Sequence, residues 1–333
     1  MKRQETLAII IILLILVGLP TATLGYQHWL RPAIAPDHIV DISAAAPEAG
    51  GFQPDSVQVW VGETVKLRFT SLDVTHGIAI GPGLGVDLGH VDPGRVKEVT
   101  LTFDRPGTYT YYCNSWCSPY HWRMRGIIQV RDPAVPNALP TPQDDPIITA
   151  LLAEGVDIDA TRATDDHSYE LAPDLLPSAK QGGAVVRELR IPPELQDAAW
   201  RRSHSPAQGL TALTAANPTV AEAKLMNAIA YLWAGTPSQP QLAKAATLYA
   251  KNCAACHGQT GGGDGPAAGF TAEEPVAFSD LEHMFTARSD VLYAKVRRGG
   301  MGTGMPNFGT LFTPEETWAL VDYLWTFSLA ADQ

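Results

Sequence analysis

The stretch Cys253-Ala254-Ala255-Cys256-His257 carries the strongest structural signal in this chain of 333 residues. Its C-x-x-C-H spacing is the one that attaches a c-type haem, because two thiols add to the porphyrin vinyl groups and the adjacent imidazole faces the iron. A structural zinc site is the alternative, but it would need two more ligands nearby. No further cysteine lies near this stretch. It therefore predicts a covalent haem c held by Cys253, Cys256 and His257.

A second axial ligand for the haem is expected downstream, where Met301 and Met305 lie in a glycine-rich loop. A thioether on the iron raises the haem potential. The Gly-Met-Pro-x-Phe form around Met305 resembles the distal loop of class I cytochromes c, in which small residues let the backbone approach the haem. We therefore favour Met305 over Met301 as the ligand.

The flanks of the haem motif are predicted to be helical. Residues 241–251 place their apolar side chains on one helical face. Thr313-Pro314-Glu315-Glu316 is a capping box with proline at the first helical position, and an apolar run to Trp325 follows it. In class I cytochromes c the first and last helices cross. The resemblance therefore implies an all-α class I cytochrome c domain over residues 239–333.

The other cysteine pair lies in Cys113-Asn114-Ser115-Trp116-Cys117-Ser118-Pro119-Tyr120-His121-Trp122-Arg123-Met124, and His76 stands upstream of it. Two thiolates, two imidazoles and a thioether are soft ligands suited to copper. A mononuclear blue-copper site uses one cysteine, so the second thiolate would be surplus there. A disulfide is the other alternative, but it would leave the histidines and the methionine unexplained.

This spacing resembles the dinuclear CuA centre of cytochrome c oxidase subunit II and nitrous oxide reductase. The resemblance implies that both cysteines bridge two copper ions and that one histidine caps each. The implied ligands are His76, Cys113, the carbonyl of Ser115, Cys117, His121 and Met124. Most oxidase subunits II have glutamate at the position of Ser115, where the side chain also helps to bind magnesium. The serine puts that magnesium contact in doubt.

The surroundings of the second cysteine pair predict an all-β domain. Residues 56–61 and 64–69 alternate apolar and polar side chains about Gly62-Glu63, as a half-buried hairpin would. Several further short runs with turn signals favour a Greek-key sandwich. Pro106-Gly107-Thr108-Tyr109 shortly before Cys113 is typical of cupredoxins. Over residues 33–132 the chain resembles a CuA cupredoxin domain.

The amino terminus favours a membrane anchor over residues 1–32. Lys2 and Arg3 precede an apolar stretch, Leu7 to Gly25. At about 1.5 Å per residue this stretch reaches roughly 28 Å, close to a hydrocarbon core of about 30 Å. A cleaved signal peptide is the alternative, although Thr21 to Gly25 offers no clean A-x-A site. The anchor predicts a single-pass protein of the cell membrane, with a cytoplasmic amino terminus and extracytoplasmic metal domains.

Residues 133–238 form a proline-rich linker and a helical segment of unknown role. Asp165, Asp166 and His167 could form a metal cluster, but a solvated loop is the favoured interpretation. Residues 221–233 are amphipathic. Leu225, Ile229 and Leu232 are expected to dock on the cytochrome or on a partner subunit.

A net charge of −11 argues against nucleic acid as a partner. The two resemblances imply an electron-transfer subunit of a respiratory haem-copper terminal oxidase, with no catalytic residue of its own. Oxygen reduction is then expected in a separate, multi-helix membrane subunit, and a soluble electron donor is optional. The alternative is a donor subunit of a nitric oxide reductase, or a stand-alone membrane-anchored electron shuttle.

Overall fold

Short strands with alternating side chains build the first folded region of the protein. The computed structural model describes residues 11–25, 38–138, 145–159, 176–300 and 303–329. The strands are β1 (His38–Ala44), β2 (Phe52–Gln53), β3 (Ser56–Trp60), β4 (Thr64–Ser71), β5 (His76–Gly81), β6 (Val86–Val91), β7 (Val96–Thr102), β8 (Gly107–Tyr112) and β9 (Arg125–Arg131).

These strands form two sheets, with the orders β2-β1-β4-β7 and β3-β9-β8-β5-β6. Alternate residues of β4 are buried, among them Val65, Leu67 and Phe69. They pack with Val57 and Val59 of β3 and with residues of β8 and β9 in one apolar core. The predicted sandwich is therefore present, and its core lies between the sheets.

The predicted hairpin between residues 56–61 and 64–69 is wrong. β3 pairs with β9 in parallel, whereas β4 pairs with β1 and β7 in the other sheet. The turn at Gly62 and Glu63 carries the chain across the sandwich. Two strands that face each other across a core bury alternate residues just as a hairpin does, so the alternation could not distinguish the two arrangements.

The second folded region is helical. Its helices are α2 (Pro146–Ala153), α3 (Ala179–Val185), α4 (Pro193–Gln196), α5 (Ala198–Ser203), α6 (Pro206–Ala216), α7 (Glu222–Ala234), α8 (Gln239–Asn252), α9 (Ala254–His257), α10 (Leu281–Thr286), α11 (Ser289–Arg298), α12 (Pro314–Leu324) and α13 (Thr326–Leu329), with α1 (Leu19–Gly25) near the amino terminus. The capping box predicted at Thr313 is formed with Glu316. As expected, α8 packs against α12, where Gln241 donates a 2.8 Å hydrogen bond to Asp322.

The helices of the middle segment share a core with the helices around the haem motif. Leu225, Ile229 and Leu232 of α7 lie in the same buried cluster as Phe285 and Leu320. The expectation for these residues is docking on the cytochrome or on a partner subunit. In the structure they pack in the core of the cytochrome region. The predicted cluster of Asp165, Asp166 and His167 lies outside the described residues.

The sandwich and the helical region are in direct contact. Ala79 and Tyr112 of the sandwich belong to the buried cluster that contains Leu311 and Phe312. Arg125 donates a hydrogen bond to the carbonyl of Asn307. The two regions therefore meet along β5, β8 and the start of β9.

Part of the predicted membrane anchor is helical. Residues 14–18 form a π-helical turn that continues into α1, and their apolar side chains are exposed. Within the described ranges, no helix has the length and apolar character that crossing a bilayer requires. Lys2, Arg3 and the start of the apolar stretch lie outside the described residues.

Candidate metal centres

The candidate copper ligands come from three neighbouring segments at one end of the five-stranded sheet. His76 is the first residue of β5, and Cys113 follows β8 directly. His121 begins a 3₁₀ turn that ends at Arg123, and Met124 precedes β9. Because β8 pairs with both β5 and β9, the sheet brings these segments side by side.

The structure gathers three of these candidates closely. The ligand atoms of His76, Cys113 and Cys117 all lie within 4.8 Å of one another. The two sulfurs are 3.8 Å apart, and the Cys113 sulfur is 3.1 Å from the carbonyl oxygen of Ser115. Both thiols are free, and their separation is far beyond the roughly 2.05 Å of a disulfide bond. The sulfurs are therefore arranged to face a common centre.

Both histidines present an unpartnered nitrogen. The Nδ1 atoms of His76 and His121 are buried without a hydrogen-bond partner among the described residues. The other nitrogen of His76, Nε2, lies 2.8 Å from a carboxylate oxygen of Asp73. A carboxylate behind a histidine commonly orients a metal-binding imidazole. With two sulfurs and the buried thioether of Met124, this donor set fits copper.

The cysteine pair favours a thiolate. The Cys117 thiol, followed by His121 and His76, lowers the pKa of Cys113 below that of an ordinary thiol, against the opposing effect of burial. The neighbouring Cys113 thiolate raises the pKa of Cys117, and burial adds to that increase. One thiolate therefore forms readily, and the second proton leaves when a metal binds.

Sequence reasoning missed the residues that support this centre. A side chain at Gly77 would place its Cβ 2.2 Å from the Asn114 amide oxygen, so the cysteine loop lies directly on β5. Asp73 was missed too, although its position three residues before His76 was a usable signal. The hydroxyl of Ser115 lies 2.9 Å from Nε2 of His90. Most oxidase subunits II have glutamate at the position of Ser115. Here the serine side chain bonds to another residue of the same chain.

The candidate haem ligands line one cavity that is open to solvent. Cys253 follows α8, and Cys256 and His257 lie in the short helix α9. All three reach the cavity, as does Met305. The cavity and its thiols, imidazole and thioether therefore fit a covalent haem.

His257 is held in the orientation that an iron ligand needs. Its Nδ1–H donates to the carbonyl of Val276 at 3.0 Å, which leaves Nε2 for a metal. The ring stacks on Phe278, with centroids 4.6 Å apart. Burial lowers the pKa of His257, so the neutral form is favoured. The acceptor in this hydrogen bond is the backbone carbonyl of Val276. Because every residue has such a carbonyl, nothing in the sequence indicated the contact.

Met305 is fixed by its own loop. Its N–H donates to the hydroxyl of Thr303 at 3.2 Å, and its carbonyl accepts from Gly300 at 3.2 Å. The alternative ligand Met301 lies outside the described residues. The choice of Met305 over Met301 therefore stays a prediction.

Comparisons with known proteins agree with two separate domains. Residues 53–131 match the family described as the periplasmic domain of cytochrome c oxidase subunit II, and residues 242–328 match the family described as cytochrome c. The match to a periplasmic domain implies an extracytoplasmic position for the sandwich.

Individual relatives match the sandwich region. Cytochrome c oxidase subunit 2 of Thermus thermophilus is 39% identical over 85 residues, 25% of this chain and 61% of that protein. The nitrous-oxide reductase of Cupriavidus necator is 34% identical over 90 residues, 26% of this chain and 13% of that protein. The solved periplasmic domain of cytochrome oxidase subunit II from Bradyrhizobium japonicum is 22% identical, with 30% of this chain and 87% of that chain covered and a TM-score of 0.25.

The alignments with these two curated relatives span less than two thirds of each relative's length. The two family matches show that the chain combines a domain of the cytochrome c oxidase subunit II periplasmic family with a cytochrome c domain. It is similar to subunit II of the haem-copper oxidases.

Proposed function

We propose that this chain is the electron-transfer subunit of a respiratory haem-copper terminal oxidase. It passes electrons from a covalent haem c through a dinuclear CuA centre to a separate, oxygen-reducing membrane subunit. One observation carries the proposal. The cavity at the haem motif is lined not only by Cys253 and Cys256 but also by His121 of the cysteine loop. The two candidate centres therefore adjoin within one chain.

Six groups would hold the copper: His76, Cys113, the Ser115 carbonyl, Cys117, His121 and Met124. A copper pair held there would supply electron transfer with little geometric change, because one electron would be shared between two ions. The protein keeps this site dry and fixed, since His76, Cys113, His121 and Met124 are each at most 5% exposed. Asp73 orients His76 from behind.

Four groups would hold the haem: Cys253, Cys256, His257 and Met305. The cysteine thiols would attach it covalently, His257 would bind the iron, and the Met305 thioether would favour the ferrous state. The Val276 carbonyl fixes the His257 tautomer. These residues hold the cofactor, and no described residue has to act as an acid or a base.

The partner that reduces oxygen would be a different polypeptide. The sequence contains one apolar run of roughly transmembrane length, whereas a haem-copper active site needs several helices and more histidines. The acidic net charge of this chain suits a basic redox partner.

Two substitutions test the proposal on the full chain. Cys117→Ser or His121→Ala should remove the copper absorption and the paramagnetic signal of an electron shared by two coppers. Both variants should keep a haem that an external donor can reduce, and electrons should not pass beyond it. His90→Ala is the matched control, because His90 is exposed and, among the described residues, its ring bonds only to the side chain of Ser115. A signal from one localised copper in the unsubstituted chain would refute the dinuclear site.

A second candidate is a donor subunit of a nitric oxide reductase, or a stand-alone shuttle. The observation that favours it is the Ser115–His90 contact, since Ser115 supplies no acid for a magnesium ion against an oxygen-reducing subunit. Copurification decides between them. A partner with oxygen turnover supports the oxidase, and nitric oxide turnover without oxygen turnover supports the second candidate.

A further inference from the structure

Trp122 belongs to the copper domain but faces the haem cavity. It follows His121 in the 3₁₀ turn, yet it lines the same cavity as Cys253, His257 and Met305. A methyl group at Gly304, in the loop that carries Met305, would lie 3.9 Å from Cζ2 of its indole. The indole is therefore part of the cavity wall on the side of the candidate axial ligand.

The neighbours of Trp122 hold it in this position. Its carbonyl accepts a 3.1 Å hydrogen bond from Nε of Arg125, whose guanidinium also donates to Asn307 of the cytochrome. The guanidinium carbon of Arg123 lies 4.8 Å from the centroid of the indole ring. Two arginines therefore fix the backbone and the ring of Trp122.

The indole N–H of Trp122 has no hydrogen-bond partner in the part of the chain that the structure describes. Its Nε1 atom is buried, and no described residue accepts a hydrogen bond from it. An unsatisfied buried donor has lost its hydrogen bond to water without gaining another, and such groups are rare in folded proteins. The cavity that this residue lines is the one with the haem attachment motif. The strong hydrogen-bond acceptors at the edge of a haem are its two propionate carboxylates.

We propose that Trp122 is a haem-positioning residue supplied by the copper domain, and that its indole N–H donates a hydrogen bond to a haem propionate. The inference rests on the haem site of the proposed function. A hydrogen bond to the propionate offsets part of its negative charge, which otherwise stabilises ferric iron. Trp122 should therefore raise the haem potential, through the outer hydrogen bonding that tunes haem centres.

The test compares Trp122→Phe with the unsubstituted full chain after haem attachment. Phenylalanine keeps an aromatic ring but has no N–H. We expect the equilibrium between ferric and ferrous haem to shift toward ferric by between about threefold and about tenfold, where tenfold is about 59 mV for one electron. The midpoint potential is measured by spectroelectrochemistry with external mediators.

Trp116→Phe is the matched control. Trp116 also contacts His121, with ring centroids 5.5 Å apart, but its side chain is exposed and does not line the cavity. This variant should leave the haem potential unchanged. Copper absorption should persist in both variants, which shows that the sandwich is folded.

A second measurement uses only the unsubstituted chain, before and after haem attachment, so it does not depend on whether a variant folds. The vibrational band of indole that reports N–H hydrogen bonding should change when haem is attached. An unchanged band, or a Trp122→Phe variant with the potential of the unsubstituted chain, would overturn the inference. Because the mediators equilibrate the haem directly with the electrode, its midpoint potential can be measured whether or not electrons reach the copper. Failure of this inference is thus distinguishable from failure of the proposed function.

Discussion

The backbone of Gly81 lies against the carbonyl of Leu311, so close that a methyl group on Gly81 would be 2.0 Å from that oxygen. Gly81 ends β5, the strand that begins at His76. One strand therefore runs from the copper ligands to the cytochrome. We expect Gly81→Ala to push the two regions apart, because backbone atoms cannot yield as a flexible side chain can. Photoreduction of the haem should then show slower electron transfer to copper.

Gly269→Ala provides the control for this substitution. No atom lies within 4 Å of a methyl group at Gly269, so the transfer rate should stay unchanged. If Gly81→Ala also transferred electrons at the unaltered rate, the backbone contact would have no part in coupling the centres.

Arg125 and Lys251 both bridge the sandwich and the cytochrome. We expect only Arg125 to affect the rate of electron transfer between the two centres. Arg125 lies 5.0 Å from the ring centroid of Phe308 and donates to the Asn307 carbonyl, and burial lowers its pKa to about 10. Arg125→Met would remove the donor that reaches the carbonyls of Trp122 in the sandwich and Asn307 in the cytochrome, and with it this contact between the two regions. Transfer from haem to copper should therefore slow.

The other cation, Lys251, pairs with Asp87 at 2.5 Å, but the two side chains are 40% and 37% exposed. Exposed pairs contribute about 0 to 1 kcal/mol and are screened by salt. Lys251→Met should thus transfer electrons almost as the unsubstituted chain does. Equal slowing in both variants would contradict this ranking.

Asp73 should control copper retention without touching the metal. Its carboxylate fixes His76 at 2.8 Å, and loss of such a partner typically weakens metal binding about 10- to 100-fold. We expect Asp73→Ala to lose copper to a competing chelator in that range. Asp92→Ala is the control, because Asp92 accepts a 2.9 Å hydrogen bond from Thr75, the residue before the ligand. Similar copper affinities in the two variants would exclude an orienting role.

Met305→Ala should lower the haem potential and open a coordination position, because the thioether favours ferrous iron. Added imidazole should then bind and change the optical spectrum. Met301→Ala should have little effect on either quantity. A larger spectral change in the Met301 variant would show that the axial ligand had been assigned wrongly.

Asp322 should make the stability of the helical region depend on pH. Burial raises its pKa to about 6, despite the nearby Arg202, whereas an unfolded aspartate titrates near about 3.9. Between these values the folded state holds a proton that the unfolded state has released. The free energy of unfolding should therefore fall as pH rises from about 4 to about 6.

Asp322→Asn removes this penalty and should stabilise the protein at pH 7 by up to about 3 kcal/mol, with little effect near pH 3. Thermal unfolding of the haem-loaded chain at both pH values measures the difference. Glu282→Gln, at an exposed position of the same region, should change neither. A destabilised Asp322→Asn variant at pH 7 would show that the carboxylate is needed in its charged form.

Short-range chemistry explains why much of the candidate site could be predicted. The spacing from Cys113 to Met124 places five of the six candidate copper ligands in one segment, and the C-x-x-C-H run is a single helical turn. Long-range packing could not be predicted in the same way. The partner strand of β3 depends on residues far along the chain, and the approach of Trp122 to the haem cavity depends on two surfaces that no local pattern relates.

The core that α7 shares with the helices around the haem motif has a consequence for the evolutionary history of this chain. A fragment limited to residues 242–328, the part that matches the cytochrome c family, would lack the side chains of α7 that share a buried core with Phe285 and Leu320. Such a fragment would expose apolar surface to water and tend to aggregate. Genetic exchange that moved this haem domain into another protein would therefore have to carry the preceding helices with it.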